Sequence, residues 1–277
     1  MIFIKAGKEM KFRISDSDWG GAAADLKEAA LLFPSAFALS WRDIALRYRG
    51  SVLGPFWYTM STFLQILFLS YLFPTLFNNN DAAYMQWLSI GLICWQFVSP
   101  ALSGSEGIFT LARGIYTERR MPYSFFCMKY MILQILVFLH QIPVILYCVY
   151  AWDIPLDFAH AAFFVLGLAI VTAILFCVCF ILGILCLRFY DIPQILNLLL
   201  YIAFMLTPIF WMPEMAASRG RFIKYNPLYY LLDVMRSPLM GRDVALFSRI
   251  VVAAIFFVSA LAAFVLFARC RKRIAFY

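Results

Sequence analysis

At 277 residues the chain is 64% hydrophobic and only 14% charged, with a mean hydropathy of +0.83. A soluble domain averages about 45–50% apolar and about 25% charged residues, so a single water-soluble core is excluded. The net charge of +8 comes from 23 Lys and Arg against 15 Asp and Glu, and most of the basic residues lie between or beside the apolar blocks.

Those blocks are continuously apolar, without the ten-residue alternation of a membrane β-barrel, and imply an all-α polytopic membrane protein. Met1 to Trp41 holds scattered charges and no uninterrupted apolar stretch before a small-residue cleavage site, so a removable signal is not expected and the first span is retained. From Ala36 to Tyr48, apolar residues alternate with Arg42, Asp43 and Arg47. Spacings of three and four place Trp41, Ile44 and Tyr48 on one face, which predicts an amphipathic helix lying at the interface. Gly50 and Gly54 then free the backbone to turn into the first span.

Crossing about 30 Å at 1.5 Å per residue takes roughly 20 apolar residues, and six such spans are expected. They run near Pro55–Leu76, Met85–Leu102, Phe125–Tyr150, Ala161–Leu187, Ile192–Met212 and Leu246–Ala268. The resulting organisation is a cytoplasmic N-terminal segment (1–54), a transmembrane domain (55–268) and a cytoplasmic tail (269–277). Within the domain lie a polar loop (103–124) and an ambiguous segment (213–245).

Basic residues decide orientation. Eight precede the first span; Arg113, Arg119 and Arg120 lie between spans two and three, Arg188 in the turn after span four, and Arg269, Arg271, Lys272 and Arg273 in the tail. All fall on one side of a six-span arrangement, whereas 78–84 and 151–160 contain no Lys or Arg. Both termini are therefore expected in the cytoplasm. Arg219, Arg221, Lys224, Arg236 and Arg242 break the pattern. Either the topology differs there, or Pro213–Ala245 forms short re-entrant helices whose basic residues sit at an outer mouth. The second reading is preferred because Pro227–Met240 is apolar yet too short to cross, and irregular backbone is tolerated where protein buries it.

Catalytic constellations do not emerge. There is no GxxxxGK[ST] phosphate loop, HExxH or GxSxG. Seven cysteines without CxxC spacing read as buried thiols rather than a disulfide or zinc framework. His140, beside Gln134 and Gln141, can pair across helices or act in a proton relay. Lys129 and Arg249 read as basic residues snorkelling from span ends. Trp57, Tyr58, Trp87, Trp95, Tyr201 and Trp211 fit interfacial belts; alternatively Tyr58, Phe63, Phe68, Tyr201 and Phe204 line a conduit on which sugar rings slide. Asp153 and Asp157 form the one close carboxylate pair beside a span, and on a loop broken by Pro155 they read as solvated residues rather than an acid/base pair.

The string WRDIALRYRGSVLGPFW, Trp41 to Trp57, resembles the signature before the first span of ABC-2-type export permeases. It is closest to the polysaccharide-export branch of O-antigen, capsule and teichoic-acid permeases. LTPIFWMPE (Leu206–Glu214) followed by NPLYYLLDVMRSPLM (Asn226–Met240) is a second resemblance in the same order. The resemblance implies a half-transporter with no enzymatic chemistry and no cofactor of its own. Its implied partners are a second copy, two ATPase subunits carrying ATP and Mg, lipid-linked polysaccharide and membrane lipids, with no nucleic acid. It also implies a bacterial cytoplasmic (inner) membrane location and re-entrant helices between spans five and six. On that reading the ATPase interface comprises Trp41, Arg42, Arg47, Arg113, Glu118, Arg119 and Arg120, the last four on a coupling loop. Tyr58, Phe63, Tyr201 and Phe204 line the conduit, and Arg219, Arg221 and Lys224 meet anionic cargo at the outer mouth. The alternative is an ABC-2 exporter for a small amphipathic drug or lipid; an integral-membrane enzyme acting on lipid-linked sugars is the more distant reading.

Overall fold

The computed structural model describes residues 18–77, 82–110 and 121–274, without the side chains of 74–77, 216–221 and 272–273. Among the described residues five helical stretches are long and apolar enough to cross a membrane, and a further apolar helix is shorter.

Two helices precede the first span. α1 (Trp19–Leu31) begins at Asp18, whose carboxylate accepts from the Gly21 amide at 3.0 Å, an N-cap satisfying one of the free donors of the first turn. α2 (Phe33–Arg47) follows after a 65° bend. α2 is the expected interface helix, but its buried stripe is Ala36, Ser40 and Ile44 at i, i+4 and i+8. Trp41 lies on the shoulder of that stripe and is 58% exposed. The reason is close packing on α5 (Tyr123–Leu139), which the small side chains Ala36 and Ser40 permit and an indole would block. Ser40 Oγ donates to the Lys129 carbonyl at 2.7 Å, and Lys129 Nζ pairs with Asp43 at 2.6 Å. Lys129 therefore clamps α2 to α5 rather than snorkelling. With both partners partly exposed, the pair is worth about 1 kcal/mol or less. Asp43→Lys should lower the melting temperature slightly and Lys129→Asp in the same chain should restore it. A double-mutant cycle with no coupling would reject the clamp.

α3 (Phe56–Phe77) and α4 (Ala82–Ser103) match the first two expected spans. α4 is the central helix, with most of its side chains buried, and a 3₁₀ turn at Gly104–Glu106 extends it. The third span is broken in two, α5 and α6 (Ile142–Ala151), because Pro143 in the first turn of α6 cannot donate back across the joint. α3 satisfies polar groups at this break: Thr59 Oγ1 donates to the His140 carbonyl at 2.6 Å and Gln141 Nε2 donates to Thr62 Oγ1 at 2.9 Å. His140 Nδ1 itself faces the Leu136 carbonyl of its own helix at 2.8 Å.

α7 (Phe158–Arg188) starts at Asp157, which accepts from the His160 amide at 2.8 Å. That backbone donor holds the Asp157 carboxyl below its ordinary range. Asp157 is thus a helix cap. Asp153 sits in a left-handed turn at φ 49°. After a tight turn comes α8 (Ile192–Leu206), only 15 residues or about 22 Å. The expected fifth span stops short at Thr207, which is extended because it precedes Pro208. A 3₁₀ segment (Pro213–Tyr225) and α9 (Pro227–Leu239) follow, then α10 (Leu246–Ile274). α9 packs on α4, α7 and α10, which buries a helix too short to cross.

Candidate conduit and coupling surfaces

The break after α8 leaves peptide groups of 207–212 outside any helix, and α4 and α9 supply donors. Trp87 Nε1 lies 3.1 Å from the Pro208 carbonyl and 3.0 Å from that of Trp211, and Tyr84 OH donates to the Phe210 carbonyl at 2.8 Å. Arg236 Nη1 donates to the Pro208 carbonyl at 2.9 Å, with its guanidinium 3.3 Å from the centre of the Trp87 ring. Trp87 is therefore a buried anchor rather than a belt residue. Arg236 is fully buried, not at an outer mouth. Nearly one turn earlier on α9, Asp233 accepts from Ser237 Oγ at 2.8 Å and from Ser248 Oγ at 2.6 Å, tying α9 to α10. Asn226 caps α9 through the Leu228 amide and donates to Thr207 Oγ1. Every contact fixes the chain reversal that follows α8. Sequence alone pointed to the segment but not to this use of Arg236; its position on the apolar α9, with Trp87 buried on α4, is what distinguishes it.

Beside this reversal, α3, α4 and α8 enclose a cleft of about 410 Å³. Tyr201 and Phe204 line it, together with Trp95, Gln65, Gln96 and Asn197. Phe204 stacks obliquely on Trp95 at 5.6 Å, while Gln96 Nε2 donates to Gln65 Oε1 at 2.9 Å. The other three expected conduit aromatics do not line it: Tyr58 donates to the Gln96 carbonyl at 2.8 Å, Phe63 packs edge-on against Tyr147 of α6 at 4.9 Å, and Phe68 is exposed on α3. Sequence reasoning missed the amides. Their signal was available, since Gln65, Gln96 and Asn197 interrupt otherwise apolar spans.

The outer faces of α3 and α8 are the least buried of the spans. Trp57, Phe68 and Tyr71 on α3, and Leu198, Tyr201 and Ile202 on α8, are all exposed. Apolar residues there suit lipid or a protein partner equally. Amides do not, because hydrocarbon offers them no hydrogen bond. The cleft therefore fits an aqueous or protein-covered surface better than a lipid-facing one.

At the other end of the molecule, Asp25 of α1 is 4% exposed and caps α5. Its carboxylate accepts from the Tyr123 amide at 3.0 Å, the Ser124 amide at 2.9 Å and Ser124 Oγ at 2.7 Å. Arg271 near the end of α10 joins the same cluster. Its Nη1 lies 2.7 Å from Asp18 Oδ2, and its Nε lies 3.8 Å from Asp25 Oδ2. The Asp18 amide donates to the Ala268 carbonyl at 2.8 Å. One buried carboxylate thus joins α1, the first turn of α5 and the end of α10.

The sequence-derived ATPase interface divides. Trp41, Arg42 and Arg47 are exposed on α2. Arg113, Glu118, Arg119 and Arg120 lie outside the described residues, as do the side chains of Arg219 and Arg221; Lys224 is exposed at the end of the 3₁₀ segment. α1 and α2 both pack on α5, the start of which Asp25 caps.

The sequence model of the ABC-2 type transporter family matches residues 34–240, most of the chain. The chain belongs to this family. Members are transport subunits. This ABC-2 chain is similar to two proteins called "O-antigen export system permease protein RfbA". One, from Klebsiella pneumoniae, is 25% identical over 221 residues, 76% of this chain and 82% of that protein. The other, from Myxococcus xanthus, is 23% identical over 198 residues, 70% of this chain and 76% of that protein. The ABC-2 match begins just inside α2 and ends just after α9, so it takes in the cleft and the chain reversal but not α1 or the α10 end of the Asp25 cluster.

Proposed function

We propose that the chain is the permease subunit of an exporter for lipid-linked polysaccharide in the bacterial cytoplasmic membrane, with both termini in the cytoplasm. The observation that carries this reading is the cleft between α3, α4 and α8, where aromatic faces and amides share one lining in a chain of the ABC-2 family. Sugar rings present apolar CH faces and hydroxyls together. Tyr201, Phe204 and Trp95 suit the former, and Gln65, Gln96 and Asn197 the latter. The names of the similar O-antigen permeases support the same cargo class.

Two copies close the cleft into a conduit, with α3 and α8 of each facing the other. Two separate ATPase subunits hold ATP and Mg and dock on the exposed face of α2, at Trp41, Arg42 and Arg47, and on the loop bearing Arg113, Glu118, Arg119 and Arg120. ATP binding there favours one of two arrangements, and the helices packed on that surface carry the difference to the conduit. At the outer mouth, Arg219, Arg221 and Lys224 meet anionic groups of the cargo or its lipid pyrophosphate. Replacing all three by Gln should lower surface glycan without changing the amount of inserted protein. Unchanged glycan would remove them from the pathway.

Co-purification of the tagged chain from its native membrane, followed by mass spectrometry of proteins and lipids, tests the reading as a whole. A stoichiometric ATPase with polyprenyl-linked glycan is the expected result. An ATPase with a small amphipathic lipid or drug instead would favour the alternative exporter, and no ATPase would overturn the reading.

A further inference from the structure

A second cavity lies away from the cleft, between α7, α9 and α10, with a volume of about 490 Å³. Its walls are almost wholly apolar, and Arg242, Asp243 and Arg249 stand at one end. α7 and α10 run in the same direction and pack tightly near their C-terminal ends, where Phe180 and Phe267 meet at 4.8 Å. Towards their N-terminal ends α9 packs against both. α9 comes close to α7 because Gly167 has no side chain: a Cβ there would lie 2.5 Å from the Val234 carbonyl oxygen. Pushed apart by a helix too short to fill the gap, α7 and α10 leave a slot open to the surroundings.

The dimensions of the slot fit a lipid. On α7 its lining runs from Phe163 to Ala173, eleven residues with a rise of about 15 Å. That is half of a hydrocarbon core about 30 Å thick, the depth of one leaflet. The charges sit only at the end where a headgroup lies. Arg249 Nε already donates to the Val244 carbonyl at 3.0 Å, which orients its guanidinium. The Arg242 and Asp243 side chains are exposed and form no ion pair with a described residue. Two guanidiniums beside one carboxylate complement a phosphate beside an ammonium.

We propose that this slot is a binding site for one phospholipid of the phosphatidylethanolamine class. One acyl chain lies along α7 and α10, the phosphate meets Arg242 and Arg249, and the ammonium meets Asp243. The lipid completes the packing around α9, the element that also carries Arg236, so it stabilises the chain reversal from the membrane side. Placing the slot in the outer leaflet rests on the topology proposed above; the slot and its chemistry do not.

The test is native mass spectrometry of the full chain released from vesicles of phosphatidylethanolamine and phosphatidylglycerol. The protein is expected to retain one phosphatidylethanolamine per protomer. Arg242→Gln with Arg249→Gln should lower that occupancy about tenfold, the loss of a charge-assisted contact. Ala253→Phe, which fills the slot from α10, should lower it as far, and Ala173→Phe from α7 repeats the test should the first variant fold poorly. The exposed charge variants leave the core untouched, so folding does not confound them. Equal retention in all variants, or a preference for phosphatidylglycerol that Asp243→Asn leaves unchanged, would overturn the proposal. So would a change in protomer number in the filled variants, which would make the slot a contact between copies.

Discussion

Replacing Arg236 with Ala is expected to be among the most damaging single changes in the chain, costing about 3–5 kcal/mol, the range for breaking a buried charged contact. Three losses coincide. The Pro208 carbonyl loses its 2.9 Å charged donor, the Trp87 ring loses the cation 3.3 Å from its centre, and Asp233, 7% exposed and four-fifths of a turn away, loses the electrostatic attraction of Arg236. A desolvated cation–π contact alone contributes about 2 kcal/mol, and a hydrogen bond from a charged donor about 1.5–3 kcal/mol, although Trp87 Nε1 still reaches the Pro208 carbonyl at 3.1 Å. Arg236→Lys should be intermediate, because an ammonium keeps the charge but cannot lie flat on an indole while donating sideways. Trp87→Leu should be nearly as severe as Arg236→Ala, and the double variant should cost much less than the sum, since both residues serve one carbonyl. Melting temperature in detergent and monodispersity on size exclusion read this directly. An Arg236→Ala protein as stable as the wild type would mean that the chain reversal is held by other contacts.

That prediction rests on a feature the sequence reveals only in part. The spans were legible because a twenty-residue apolar block has one physical solution, a helix across the membrane. α3, α4, α7 and α10 accordingly begin and end within a few residues of expectation. The fifth span was not, because Thr207 to Met212 is as apolar as the helix before it. Only Pro208 and its effect on Thr207 mark the break, and a proline inside an apolar block as often kinks a helix as ends it. Buried partners were less legible still. Lys129 and Arg236 look alike as basic residues in apolar surroundings, yet one makes a partly exposed ion pair with Asp43 and the other a fully buried contact with Trp87 and Pro208. Hydropathy cannot separate the two, since the difference lies in a helix far away in sequence. The same limit applied to the conduit aromatics. Tyr58 and Tyr201 have similar settings in sequence, but Tyr58 is turned onto α4 and Tyr201 lines the cleft.

α1 was the largest omission, and it carries the second strong prediction. The stretch WGGAAADLKEAAL is rich in the good helix formers Ala, Leu, Lys and Glu and is preceded by the capping Asp18. Its single buried charge, Asp25, satisfies two amides and a hydroxyl at the start of α5 and stands beside Arg271 of α10. Asp25→Ala removes a helix cap and leaves those donors buried. Caps contribute about 0.5–2 kcal/mol and unsatisfied buried donors cost about 1–3 kcal/mol each, so a local loss of about 2–3 kcal/mol is expected. The rest of the fold does not depend on this carboxylate, so the effect should be confined. Amide hydrogen exchange should accelerate roughly 30- to 150-fold in Trp19–Leu31 and at Tyr123–Phe126, as local opening becomes that much more frequent. Exchange in α3 and α8 should not change. Asp25→Asn keeps one acceptor and should fall between the two, and Arg271→Gln should accelerate α1 alone. On the proposed function, loosening Asp25, which holds the start of α5, should lower the glycan exported per ATP hydrolysed while the proposed ATPase association on α2 persists. Faster exchange with unchanged export would mean that α1 anchors the fold without taking part in coupling. Unchanged exchange would mean that Tyr123 and Ser124 find other acceptors, and the Asp25 cluster would lose its place as the joint between α1, α5 and α10.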